Sequence, residues 1–237
     1  MRGASRTDPT RDSCVGAVHV TMAWRVLAAV ATVAITAVPL GRGRVATGAT
    51  QVDLETATFA GGCFWSMVRP FDQLPGVVSV VAGYTGGTFA NPSYSAVSSG
   101  GTGHVEAVEV RYDPRKIGYG ALLQVFWHNV DPLDASGQFC DRGEQYRSEI
   151  FYHDSAQQQQ AEASEAAVTH GGRLPGRVVT QIMSAGRFYV AEDYHQGYYS
   201  KHPIAYRIYR WGCGRDKRLQ QLWGASAASG AVPSTEG

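Results

Sequence analysis

Cysteine is sparse in this chain, and no two cysteines are neighbours. Cys14, Cys63, Cys140 and Cys213 form no C-x-x-C pair, which excludes a local zinc knuckle and a thioredoxin-type redox motif. Any pairing must come from the fold, as a structural bridge or as a nucleophile with a distant partner. A charge excess of one sign is also missing. The 21 Lys and Arg stand against 20 Asp and Glu for a net charge of +1, with no basic block. No broad positive field gathers nucleic acid, and no nucleic-acid partner is expected. The apolar run Val26–Val38, behind Arg25, falls short of the ~20 residues that span a bilayer.

What is present is globular. Hydrophobic residues make up 44% and aromatics 11% of the 237 residues, enough for one large core or two small ones. Val26–Val38 has the length of a secretory h-region, about 7–15 residues, so residues 1–50 read as a leader (signal peptide or anchor, then linker). Export to the periplasm or membrane anchoring is expected. The alternatives are a cytoplasmic chain, an ordinary buried helix over Val26–Val38, and a true start at Met22. Residues 51–224 read as the folded domain and 225–237 as a small-residue, flexible tail.

Within the domain, short strands alternate with helices. Thr56–Ala60 reads as a strand ending at Gly61-Gly62, followed by helical spacing from Phe64 to Leu74 up to Pro75-Gly76. Val77–Tyr84 and His104–Tyr112 read as strands around a Gly-, Ser-, Asn- and Pro-rich loop. Tyr119, Leu122, Leu123 and Phe126 mark an amphipathic helix. Ser148–Tyr152 is a strand, Ser155–Thr169 a helix and Arg177–Ile182 a strand, and the aromatic-rich stretch beyond Gly186 has no clear pattern. The interleaving predicts an α+β fold with helices layered on one sheet.

Two residues carry candidate chemistry. Cys63 falls where a strand hands over to a helix, and a helix N-terminus favours the thiolate through its unpaired N–H groups and positive dipole end. A cysteine simply packed in the core is the bland alternative. Glu106 shares a strand face with Val108, Val110 and Tyr112, while Glu109 and Arg111 take the other. A carboxyl on an apolar face loses hydration and keeps its proton near neutral pH, which suits a general acid. A Glu106 at a strand end that reaches solvent is its alternative. The histidines at 104, 153, 170, 195 and 202 show no metal-ligand spacing, and His195 is expected to line the site or hold the C-terminal segment.

Several strings then fall in one order: Gly61-Gly62-Cys63-Phe64-Trp65, Gly83-Tyr84-Thr85-Gly86-Gly87, Asn91-Pro92-Ser93-Tyr94, Thr102-Gly103-His104-Val105-Glu106, Asp141-Arg142-Gly143 with Gln145-Tyr146-Arg147-Ser148, and Ala191-Glu192-Asp193-Tyr194-His195-Gln196. This set resembles the A-type peptide methionine sulfoxide reductases. The resemblance implies a two-layer α/β plait of ferredoxin-like type with a long irregular C-terminal segment. It implies that Cys63 attacks the sulfur of a methionine S-sulfoxide while Glu106 protonates its oxygen. Tyr94 and Tyr146 would hydrogen-bond that oxygen, Asp141 would give polar support, and Phe64 and Trp65 would hold the methyl group. Oxidised proteins and free methionine sulfoxide would be the substrates of a monomer without a cofactor, recycled by thioredoxin or another dithiol.

A sulfenic acid left on Cys63 needs a second thiol. Cys213 is the first candidate by position, Cys140 the competitor, and a structural Cys140–Cys213 bridge a third reading in an exported chain. Two rivals differ in class. One is an acyl-transfer enzyme with His104 or His195 as base to Cys63; the other is a disulfide-stapled domain without catalysis.

Overall fold

The structure is a computed structural model that describes residues 53–224. The expected leader with its export reading, and the tail from 225, lie outside the described residues. Strand β1 (Glu55–Gly61) leads into helix α1 (Phe64–Asp72), then β2 (Val77–Thr85), α2 (Tyr94–Ser98), β3 (Val105–Tyr112) and α3 (Tyr119–Trp127). A short hairpin, β4 (Gly137–Gln138) and β5 (Asp141–Arg142), and a 3-10 turn at Glu144–Tyr146 precede β6 (Ser148–Tyr152) and α4 (Ser155–His170). After β7 (Gln181–Ser184) and β8 (Tyr189–Val190) come three helices, α5 (Tyr198–Lys201), α6 (Pro203–Gly212) and α7 (Arg215–Trp223).

The fold is mixed α/β, built on a six-stranded sheet in the order β7-β6-β1-β3-β2-β8. All pairings are antiparallel except β6 with β7. Alternation along β3 decides the layers. Val108, Val110 and Tyr112 turn to the main core with Ala57 and Phe59 of β1, whereas Val105 and Ala107 join Ala60 and Phe151 on the opposite face. Helix α1 offers Phe64, Met67, Val68 and Phe71 to the main core and α3 offers Leu122, Leu123 and Phe126, each at 3.6-residue spacing.

Phe59 sits at the centre of that layer. Its ring stacks on Phe71 at 5.1 Å and 3°, on Phe126 at 5.3 Å and on Tyr119 at 6.0 Å. It is fully buried, so Phe59→Ala is expected to cost about 3–5 kcal/mol of stability through lost transfer energy and an unfilled cavity. The urea midpoint would measure this, and a change below about 1 kcal/mol would mean that the layer collapses onto the gap.

Several sequence expectations need correction. The strand expected at Arg177–Ile182 begins at Gln181, because the Val179 N–H donates to the Pro132 carbonyl at 2.8 Å and the Thr180 hydroxyl pairs with Ser148 at 2.8 Å. Those partners hold the backbone outside the sheet until Gln181. The loop after β2 contains α2, whose Ser93 caps the Ala96 N–H at 3.3 Å. The C-terminal stretch, expected to be irregular, is helical through most of 198–223. Apolar and aromatic residues at helical spacing, Leu219, Leu222 and Trp223 among them, find the core there. No helix among the described residues is long and apolar enough to cross a membrane.

Candidate active site

Cys63 lies between β1 and α1 as expected, at the N-cap of α1. The two glycines before it are demanded by packing. A Cβ on Gly61 would meet Met67 Sδ at 2.6 Å and Val130 Cγ1 at 2.7 Å; Gly62 has φ +81° and abuts Gln138 at 2.6 Å. Only glycine fits both positions. Cys63 is 8% exposed, a burial that a packed core thiol would share; its company sets it apart.

Glu106 reaches Cys63 from the strand. It is 2% exposed, and its Oε2 accepts the Phe64 N–H at 3.0 Å, so the carboxyl sits against the first amide of α1. The solvent-exposed alternative is ruled out. Burial pushes the Glu106 carboxyl up to about 8, against the pull of the Phe64 amide, with Asp141 adding to the rise and the Cys63 thiol opposing it. The group therefore keeps its proton at neutral pH.

The Cys63 thiol departs from expectation. Burial pushes it well above the ordinary cysteine value, and the charges of Glu106 and Asp141 add to the shift; the Tyr209 hydroxyl and the Trp65 backbone oppose it. Desolvation outweighs the helix terminus because the sulfur has little water to lean on and two acidic side chains beside it whose ionisation would oppose its own.

The other expected residues converge on the same place. Tyr94 opens α2 and Tyr146 closes the 3-10 turn. Burial raises both phenols, followed by the charge of Glu106, and Cys63 also acts on each. Asp141, on β5, is raised by burial and held down by Tyr209, by Arg215 and by the Cys63 backbone. The Phe64 ring lies 4.8 Å from the His195 ring and 5.9 Å from Tyr84. Trp65 stacks on Tyr198 at 3.6 Å and 4°. The aromatic wall thus draws on both ends of the domain.

The expectation for His195 holds. Its Nδ1 accepts the Trp65 indole N–H at 3.0 Å and it is 1% exposed, while burial lowers its affinity for a proton. His104 is occupied elsewhere: Nδ1 accepts the Gly87 N–H at 3.1 Å and Nε2 faces the Phe89 carbonyl at 2.7 Å. Neither ring is hydrogen-bonded to Cys63, the contact that an acyl-transfer base to this thiol requires.

Cys213 does not present a free thiol. It is disulfide-bonded to Cys140, with Cα atoms 4.8 Å apart and a sequence separation of 73; Cys63 is the free cysteine among the described residues. Of the three readings the sequence left open, the bridge is the one seen. The His/Cys/Asp/Glu cluster with ligand-like spacing among the described residues is Cys140, Asp141 and Cys213, and two of its three donors are consumed by the bridge.

Three further residues carried no functional role in the sequence reading. Tyr209, on α6, donates its hydroxyl to Asp141 Oδ2 at 2.6 Å and contacts the Cys63 thiol. Glu192 accepts the Tyr94 N–H at 2.8 Å and the Tyr84 hydroxyl at 2.8 Å, pinning α2 to the sheet. Arg215, at the start of α7, is fully buried beneath the Cys63 turn. Glu192 lay inside a quoted motif, which was a usable signal; Tyr209 and Arg215 had none beyond the aromatic and basic character of their segment.

Comparison with known proteins agrees with this geometry. The family model described as peptide methionine sulfoxide reductase matches residues 55–227. The peptide methionine sulfoxide reductase MsrA of Bacillus licheniformis is 51% identical over 170 residues, covering 72% of this chain and 94% of that protein. The Bacillus subtilis protein of the same name is 50% identical over 171 residues, covering 72% and 97%. Among solved structures, methionine sulfoxide reductase A of Corynebacterium diphtheriae superposes with TM-score 0.58 at 33% identity, covering 65% of this chain and 78% of that one. Reduced Mxr1 of Saccharomyces cerevisiae gives 0.59 at 31% identity, covering 64% and 87%. With half its residues shared with such relatives across 55–227, and Cys63, Glu106 and the two tyrosines gathered at one helix start, the chain belongs to the peptide methionine sulfoxide reductase family.

Proposed function

We propose that this enzyme reduces methionine S-sulfoxide, free or within oxidised proteins, to methionine, with Cys63 as the attacking sulfur. The observation that carries the reading is a neutral carboxyl, Glu106, held against the first amide of the helix that Cys63 caps. The Cys63 thiolate attacks the sulfoxide sulfur while Glu106 gives its proton to the oxygen, turning a poor leaving oxygen into a better one. The hydroxyls of Tyr94 and Tyr146 hydrogen-bond that oxygen, and Asp141 supports them. Phe64 and Trp65 hold the methyl group. The oxygen ends on Cys63 as a sulfenic acid, and methionine leaves.

Recycling follows from the bridge. In the reduced chain, the Cys213 thiol attacks the sulfenic sulfur, water departs and a Cys63–Cys213 disulfide forms. Cys140 then displaces Cys63 from Cys213, which yields the Cys140–Cys213 bridge and frees Cys63 for the next cycle. An external dithiol of thioredoxin type reduces that bridge, and no prosthetic group is required. The exposure of Cys140 supports this order. The fold is read as a ferredoxin-like plait, supported by the β6-β1-β3-β2 order and by α1 and α3 packing on one face.

The test is mass analysis of an S-sulfoxide peptide incubated with the protein and dithiothreitol. Loss of one oxygen from the S epimer, with the R epimer intact, is expected; an unchanged or hydrolysed peptide would refute the reading. In the same assay Cys213→Ser should release one equivalent of methionine and then stall with thioredoxin as reductant. Undiminished recycling would assign the resolving step to Cys140 or to direct reduction.

A further inference from the structure

Arg215 is a buried cation with no salt-bridge partner among the described residues, although its charge is felt by Asp141. It is 1% exposed, and no carboxylate among the described residues forms an ion pair with it. Nη2 donates to the Gly61 carbonyl at 2.9 Å and the Asn129 carbonyl at 2.7 Å and touches Met67 Sδ at 3.3 Å. Nε and Nη1 have no hydrogen-bond partner. Nη1 borders the Cys63 turn, since a Cβ on Gly62 would stand 3.7 Å from it. The guanidinium lies 4.4 Å over the Phe139 ring. Its position as first residue of α7 adds to the cost, because a helix N-terminus repels positive charge. An unpaired buried ion is destabilising unless something offsets it.

The groups around Cys63 show what that offset is. Glu106 approaches from β3, Asp141 from β5, and the phenols of Tyr94, Tyr146 and Tyr209 from α2, the 3-10 turn and α6. All are neutral or negative. Arg210, whose charge also reaches Arg215, is held by Asp216 at 2.6 Å, and Tyr206 faces Arg215 from the same helix. Burial and Arg210 pull the Arg215 guanidinium down to about 10, so it stays charged at neutral pH.

We propose that Arg215 is a positioning residue for the reduction: its guanidinium braces the Gly61–Cys63 turn from beneath and supplies the positive charge that stabilises the Cys63 thiolate. This rests on the assignment of Cys63 as nucleophile. It also ties the thiolate to the bridge, since Arg215 follows Cys213 by two residues.

The experiment uses the full chain with the Cys140–Cys213 bridge intact. Iodoacetamide alkylation of Cys63 is followed against pH by peptide mass, which separates it from Cys14. In Arg215→Met the alkylation midpoint should rise by about one pH unit, so that labelling below the midpoint slows ~tenfold. Arg215→Lys should restore most of the shift because the charge returns. Both variants should melt earlier, as the bridge between the Gly61 and Asn129 carbonyls is lost; a purely structural role would change melting without moving the midpoint. A folded Arg215→Met with an unmoved midpoint overturns the proposal, as does a Lys variant no better than Met. If Arg215→Met does not fold, Arg215→Gln, which keeps a donor and removes the charge, is read by the same criteria. Failure of the Cys63 assignment would appear separately, as sulfoxide reduction by a Cys63→Ser chain with Arg215 intact.

Discussion

Cys63→Ser removes sulfoxide reduction altogether, with an expected loss of at least ~10⁴-fold in single-turnover rate, the scale seen when a covalent nucleophile is deleted. The serine oxygen is close to the sulfur in position but cannot accept the sulfoxide oxygen and return it through a disulfide. No other described cysteine stands at the N-cap of α1 beside Glu106, the place that Cys63 holds. The fold should survive: the residue caps α1 without any side-chain capping bond, and the turn is set by Gly61, Gly62 and their neighbours. Methionine formation by the folded Ser variant, with dithiothreitol as reductant, would remove Cys63 from the chemistry.

Glu106→Gln should lower the single-turnover rate by ~10²–10⁴-fold, the usual contribution of a general acid, and leave substrate affinity nearly unchanged. The amide fills the same volume and keeps an oxygen for the Phe64 N–H, but has no acidic proton to give. Stability should move the other way. The folded carboxyl, raised to about 8 mainly by burial, lies above its ordinary value. It therefore binds its proton more tightly folded than unfolded, and the resulting stabilisation is complete below the unfolded value and lost as pH rises through about 8. Glutamine never ionises. The variant should thus gain stability over the parent progressively as pH climbs from acid to about 8, and thermal melts across that range measure the gain. The thiol should respond as well: Glu106 is one of the charges that raise Cys63, so its alkylation midpoint should fall in the Gln variant. A variant less stable than the parent at every pH, or a pure affinity effect, would make Glu106 a structural residue.

How far the site could be read in advance differed from residue to residue. Period-two alternation along β3 was enough to put Glu106 on the face of Val108 and Val110, because neighbouring side chains on a strand must point to opposite sides. The Gly61-Gly62-Cys63 string likewise marked a strand-to-helix junction, since glycine followed by helical spacing has few other readings. Tyr94 was legible only through the family resemblance: short helix α2 depends on a Ser93 cap and on Glu192, 98 positions away. Tyr209 and Arg215 left no local trace, because a tyrosine in an aromatic segment and an arginine at a helix start look like surface residues until α6 and α7 fold back under the β1–α1 turn.

The sequence by itself, with the family resemblance it carries, singled out Cys63 and Glu106 as candidates and set the order of elements around them. These depend on backbone periodicity and residue chemistry, which act over a few positions. The tertiary structure alone decided that Cys140 and Cys213 pair across 73 residues, that burial raises the Cys63 thiol against the helix terminus, and that an unpaired arginine lies beneath it. Each of these depends on which distant groups share one water-poor space, and charge and proton affinity there follow from neighbours in three dimensions rather than along the chain.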